Sequence, residues 1–121
     1  MTASGAGGPR TRRYDELRAV DAFPGVVRRT LVSGDRLTLV EIRLAPGSEV
    51  PEHVHPHEQA GHVASGRVRF RIGRADGGTD EVEVERGDSY LIPGGLPHYA
   101  RALEDATLIE VFSPVREDFA E

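Results

Sequence analysis

The stretch Pro51-Glu52-His53-Val54-His55-Pro56-His57-Glu58-Gln59 decides how the rest of the chain is read. In an extended backbone, side chains two apart share a face, so His53 and His55 aim at one point. Gln59 keeps the same parity if the chain stays extended or turns sharply at Pro56. A fourth group, His98, follows Pro93-Gly94-Gly95-Leu96-Pro97, a run suited to a tight turn. Three imidazoles and one amide at these spacings converge on a single divalent metal ion if the fold brings the two segments together.

Outward from this stretch the chain reads as short strands punctuated by Gly, Pro and Asp. Upstream, Arg36-Leu37-Thr38-Leu39-Val40-Glu41-Ile42-Arg43-Leu44 closes at Ala45-Pro46-Gly47. Downstream, Gly61-His62-Val63-Ala64 runs on from Gln59 to a turn at Ser65-Gly66. Arg67-Val68-Arg69-Phe70-Arg71-Ile72 alternates charge with bulk and is the clearest half-buried strand. A hairpin loop over 73–79 leads to Glu81-Val82-Glu83-Val84-Glu85, whose acids should face Arg67, Arg69 and Arg71 across the pair. Ser89-Tyr90-Leu91-Ile92-Pro93 and Ala106-Thr107-Leu108-Ile109-Glu110-Val111-Phe112 are further strands. About eight strands with turns every 8–12 residues indicate an all-β barrel or sandwich. By strand parity His62 should point away from the metal, and His57 should lie at the rim.

A chain of 121 residues suits one domain, and 38% hydrophobic with 29% charged residues fits a globular one. Its formal charge of −5 argues against nucleic acid as a partner. No apolar run reaches membrane-spanning length and no secretory pattern opens the chain, so the expectation is a cytoplasmic protein without a membrane partner. The absence of cysteine excludes disulfides, thiolate nucleophiles and Cys-type zinc sites. Residues 1–13 lack periodicity and read as a disordered lead-in. Residues 14–20 could form a short turn or helix.

Two segments carry a family pattern. Gly47, five residues, His53-x-His55, three residues, Gln59, six residues and Gly66 resemble the first motif of the cupins. Gly87, five residues, Pro93-x-Gly95, two residues and His98 resemble the second. Gln59 stands where the family usually has glutamate, and Ala102 where it often has asparagine. The resemblance implies a single domain over 14–121, a cupin-type jelly-roll β-barrel with a metal inside its mouth, and a homodimer.

Within that family the chain is similar to the KdgF-like group, associated with opening unsaturated uronate sugars. Its members share the run His-x-His-Pro-His-Glu-Gln, here His53 to Gln59. They also share a late Asp-x-Phe-x-Pro-x-Arg pattern, here Glu110-Val111-Phe112-Ser113-Pro114-Val115-Arg116. By that resemblance Glu110, Phe112 and Arg116 face the site as acid/base, wall and substrate anchor. Glu110 is one methylene longer than the group's aspartate.

Neutral ligands leave the charge of a divalent ion uncompensated, which favours Lewis-acid polarisation and lowers the pKa of bound water. Oxygen-activating iron more often uses two histidines and a carboxylate. An amide accepts no proton at neutral pH, so the base would be Glu110 or, less readily, Glu58. Imidazole admits Zn, Ni, Mn or Fe(II) alike. The expected partner is a small-molecule substrate, and the expected chemistry is non-redox proton transfer, such as ring opening or tautomerisation of a uronate-like acid. A dioxygenase, a cyclase or lyase acting on a larger aromatic or polyketide substrate, and a non-catalytic binding module are the alternatives.

Overall fold

The computed structural model describes residues 8–120. Ten strands and one short 3-10 helix form among them. The helix, Tyr14–Glu16, precedes β1 (Val20–Phe23), β2 (Val26–Ser33) and β3 (Thr38–Leu44). Then come β4 (Glu49–His53), β5 (Glu58–Ser65), β6 (Arg67–Gly73) and β7 (Thr79–Glu85). The last three are β8 (Ser89–Ile92), β9 (His98–Ala102) and β10 (Ala106–Ser113). They make a six-stranded sheet, β1-β2-β3-β10-β5-β8, and a four-stranded sheet, β4-β9-β6-β7. The fold is all-β, with two sheets that face each other without joining into one closed ladder.

Strand periodicity explains the core. In β10, Ala106, Leu108, Glu110 and Phe112 are buried while Thr107, Ile109 and Val111 point outward. In β6, Val68 and Phe70 are buried and the arginines alternate with them, opposite Glu85, Glu83 and Glu81 in register. Arg69 pairs with Glu83 at 2.8 Å as expected. Arg67 instead reaches Glu104 at 2.7 Å, and Arg71 lies over the Tyr99 ring. These pairs are solvent-exposed and mark a polar outer face more than a source of stability.

The apolar interior gathers Val26, Leu44, Val63, Val68, Phe70, Ile92 and Leu108 between the sheets. Each such side chain contributes about 1.5–3 kcal/mol on full burial. A polar group in the same layer therefore needs a partner or a function. Four stand out: His55, Gln59, His98 and Glu110.

Three sequence expectations shift. Residues 14–20 hold the short helix only over Tyr14–Glu16, and Val20 already begins β1. The strand expected from Arg36 starts two residues later, at Thr38. Of the expected lead-in, residues 1–7 lie outside the described residues. Arg10 in the remainder donates to the Ser33 carbonyl at 2.7 Å. Among the described residues no helix is long and apolar enough to cross a membrane.

Candidate metal centre and active site

The two histidine-bearing segments meet because their turns interlock. The Gly95 N–H donates to the His55 carbonyl at 2.8 Å. A Cβ on Gly94 would strike the Pro56 carbonyl, so only glycine allows this approach. A register shift in β4 between Val50 and His53 then sets His53 opposite His98, the first residue of β9. The His53 and His98 rings lie 4.2 Å apart between centroids, and those of His55 and His98 4.8 Å. One ligand nitrogen from each of His53, His55 and His98 lies within 4.8 Å of the others, so the three form a potential metal site.

Hydrogen bonding shows that this set fits a cation. His53 Nδ1 faces the Pro51 carbonyl at 3.0 Å, His55 Nδ1 the His57 carbonyl at 3.2 Å, and His98 Nδ1 the Leu96 carbonyl at 2.9 Å. A carbonyl only accepts, so each Nδ1 carries the proton and each Nε2 keeps its lone pair. Backbone carbonyls thus orient all three rings in the manner of outer-shell partners at metal sites. The His98 Nε2 is buried without any hydrogen-bond partner. Such an orphaned acceptor asks for a ligand.

Gln59 completes the cluster from β5. Its Nε2 donates to Glu110 Oε2 at 2.7 Å, which turns Oε1 towards His55 Nε2, 3.2 Å away. With His55 neutral and protonated on Nδ1, that contact opposes two lone pairs, and a cation between them would relieve it. Burial lowers His55 from 6.5 to about 4, helped by Arg116, His98 and His53 against the Gln59 contact. His98 is lowered as well, chiefly by burial. The expected consequence is that His55 and His98 stay ready for a metal in mild acid. In an NMR titration of the metal-free protein, His55 should stay neutral at pH 6 and protonate near pH 4. A midpoint at the ordinary histidine value of about 6.5 would remove this account of the site.

Glu110 lies one hydrogen bond behind Gln59. It is 5% exposed, and burial raises its carboxyl pKa against the opposing effects of Tyr90, Gln59 and Arg116. Tyr90 donates its hydroxyl to Glu110 Oε2 at 2.6 Å, so both donors meet on one oxygen. Glu110 also lines the cavity. The carboxylate and burial together hold the Tyr90 hydroxyl well above the usual tyrosine range. Tyr90 reaches Glu110 only because Gly61 separates them: a Cβ at Gly61 would collide with the tyrosine ring.

A cavity of about 470 Å³ opens onto His53, Gln59, His98, Glu110, Phe112 and Arg116. Phe112 is buried, with its ring edge-on to His55 at 5.7 Å. Arg116 reaches the cavity over Phe112, and its Nε and Nη2 are also held by Asp118 at 3.0 and 2.8 Å. Glu58 is exposed at the start of β5, on the opposite side of the strand from Gln59; the carboxylates that line the cavity are Glu110, behind Gln59, and Asp21 of β1. His62 points outward to Ser89 Oγ, as parity requires. His57 sits beside the site, its ring 5.4 Å from that of His55.

Sequence reasoning missed Tyr90, Arg28 and Phe119. A glycine inside a strand pattern, here Gly61, signals close approach of another group, and an aromatic across from it is the natural filler. Arg28 and Phe119 line the cavity from β2 and the C-terminal turn, and the Arg28 guanidinium lies 3.9 Å from the Phe119 ring centroid. Nothing local in the chain marks either one.

Comparison with known proteins agrees with this geometry. The solved structure of KdgF from Halomonas sp. superposes with a TM-score of 0.80 at 27% identity, over 92% of this chain and 98% of that one. An RmlC-like cupin from Shewanella frigidimarina gives 0.79 at 28% identity, over 93% and 97%. Oxalate decarboxylase OxdC of Bacillus subtilis is 32% identical over 80 residues, which is 66% of this chain but 21% of that protein. The chain therefore spans about a fifth of the length of this curated relative. A structure of that enzyme, described for its Mn(II) centres, superposes with a TM-score of 0.78 at 25% identity, over 89% of this chain and 31% of that one. The Cupin domain pattern itself matches residues 40–112, from within β3 to the penultimate residue of β10. Such a match spans more than half of the sequence and both histidine-bearing segments: the chain belongs to the cupin family.

Proposed function

We propose that this chain is a metal-dependent, non-redox enzyme that moves a proton on a small oxygenated acid. The observation that carries the reading is Glu110, a buried carboxylate that lines the cavity and has one oxygen engaged by both Gln59 and Tyr90. In this reading His53, His55, His98 and the Gln59 carbonyl oxygen hold a divalent ion, Zn, Ni, Mn or Fe(II). Such an ion supplies Lewis-acid polarisation of a substrate oxygen. The amide in place of a carboxylate leaves that polarisation undiminished and makes Glu110 the group that takes the proton. Its raised pKa brings the carboxyl nearer to working pH, where it can both accept and return a proton. Phe112 shields the carboxylate from bulk water, and Arg116 anchors the acid through the guanidinium edge not held by Asp118. The KdgF-like resemblance brings forward ring opening or tautomerisation of an unsaturated uronate as the specific form.

The test is an NMR assay in D2O with metal-loaded protein, 4,5-unsaturated galacturonate and a panel of hydroxy-carbonyl acids. Expected is loss of the ring alkene, or deuterium uptake beside the carbonyl, faster than in buffer and stopped by chelator, with no oxygen consumed. No exchange with any member, or oxygen uptake matching turnover as a dioxygenase requires, would overturn the reading.

A further inference from the structure

We infer that the cavity selects an acid with an apolar body, such as an aromatic hydroxy-carbonyl acid, over a polyhydroxylated sugar of the same size. The inference rests on the proton-transfer reading above and replaces its uronate form with an apolar acid. Strand register separates the two ends of the cavity. His53 stands opposite His98 in one sheet, and Gln59 opposite Phe112 in the other. Two residues along β9 from His98 comes Ala100, flanked by Val50 on β4 and Phe70 on β6. Two residues along β10 from Glu110 comes Leu108, paired with Ile42 on β3. Ala22 and Phe23 of β1 add to the lining beyond them. The imidazoles, Gln59 and Glu110 thus share one end, and the next row is hydrocarbon from Val50 to Ile42, with Arg28 of β2, paired with Ile42, at its edge.

A sugar acid carries hydroxyls along its ring, and even the 4,5-unsaturated one keeps several. Against the wall of Val50, Phe70, Ala100, Leu108 and Ile42 a hydroxyl meets no side-chain donor or acceptor, the polar lining on this side being Asp21 and Arg28 of β1 and β2, and each one buried unpaired opposes binding. A flat apolar body forfeits nothing there and gains from leaving water. The second cation, Arg28, lies with Arg116 around Phe119, each guanidinium 3.9 Å from its ring centroid. The guanidinium edge of Arg116 not held by Asp118 keeps the acid in the description.

Two probes of nearly equal size isolate polarity from fit: 1-hydroxy-2-naphthoate and 4,5-unsaturated galacturonate. Metal uptake is first confirmed by equilibrium dialysis, and each probe is then titrated calorimetrically into the loaded protein. Naphthoate should bind at least about 10-fold more tightly than the sugar acid. Ala22→Phe, which fills the chamber from β1, should weaken naphthoate by about 10-fold or more while leaving metal uptake intact. Val50→Phe makes the same test from the opposite sheet should the first variant fail to fold. Equal or tighter binding of the sugar acid, or naphthoate affinity unmoved by the filling variant, overturns the inference alone. Failure to take up metal overturns the reading beneath it as well.

Discussion

His98→Ala is expected to weaken divalent-metal binding by at least about 100-fold, because removing even an outer-shell partner of a metal ligand costs roughly 10- to 100-fold. His98 is the most buried of the three imidazoles, and its Nε2 has no other partner. Alanine leaves two imidazoles and an amide, with a void where the ring stood. The loss is readable without any substrate. A ligand present at about 100 times its dissociation constant stabilises the folded state by about 2.7 kcal/mol. For a domain of this length that corresponds to roughly 10 °C of melting temperature. Wild type should show that rise on adding metal and His98→Ala should not, although both fold without it. His62→Ala is the matching control, since His62 points outward from β5, away from the three imidazoles.

Glu110→Gln should lower turnover by about 100- to 10,000-fold, the range that a positioned general base contributes. The substitution is nearly isosteric. Its carbonyl oxygen can still accept from Tyr90 and from Gln59, so the amide of Gln59 keeps its orientation. The ability to take a proton is lost. The expected pattern is a fall in kcat with KM and metal affinity changed by less than about threefold. If metal affinity fell in step with turnover, Glu110 would act only by aligning Gln59. Tyr90→Phe separates the two roles further, because it removes a donor to the carboxylate without touching either the base or the ligand.

Much of this centre was legible in the sequence because it depends on local rules. His53 and His55 lie two apart where β4 ends, the turn after Pro56 carries the chain to Gln59 on the facing sheet, and a turn built on Gly94 and Gly95 returns His98 to them. The alternation of Arg67, Arg69 and Arg71 with Val68 and Phe70 placed β6 and its partner β7 in the correct register. Glu110 could be flagged because it lies in line with Leu108 and Phe112, where an unpaired carboxylate is costly. What stayed hidden is non-local. β5 lies between β8 and β10, so Tyr90 reaches Glu110 across Gly61 through a sheet order that departs from chain order. The strand Val20–Phe23 is too short to declare itself and is held by pairing with β2. The cavity is less legible still, since it reflects side-chain volume that Ala22 and Ala100 fail to supply between two facing sheets.

One comparison reaches the root of all this: equilibrium dialysis of the wild-type chain and of His98→Ala against Zn2+ and Mn2+, with bound ion counted per chain. A dication gathered by nitrogen lone pairs from two distant loops predicts one tightly held ion in the wild type and none retained by the variant at the same concentration. A wild-type protein that emerges without metal, or a variant that keeps its ion as firmly as the parent, would contradict the account.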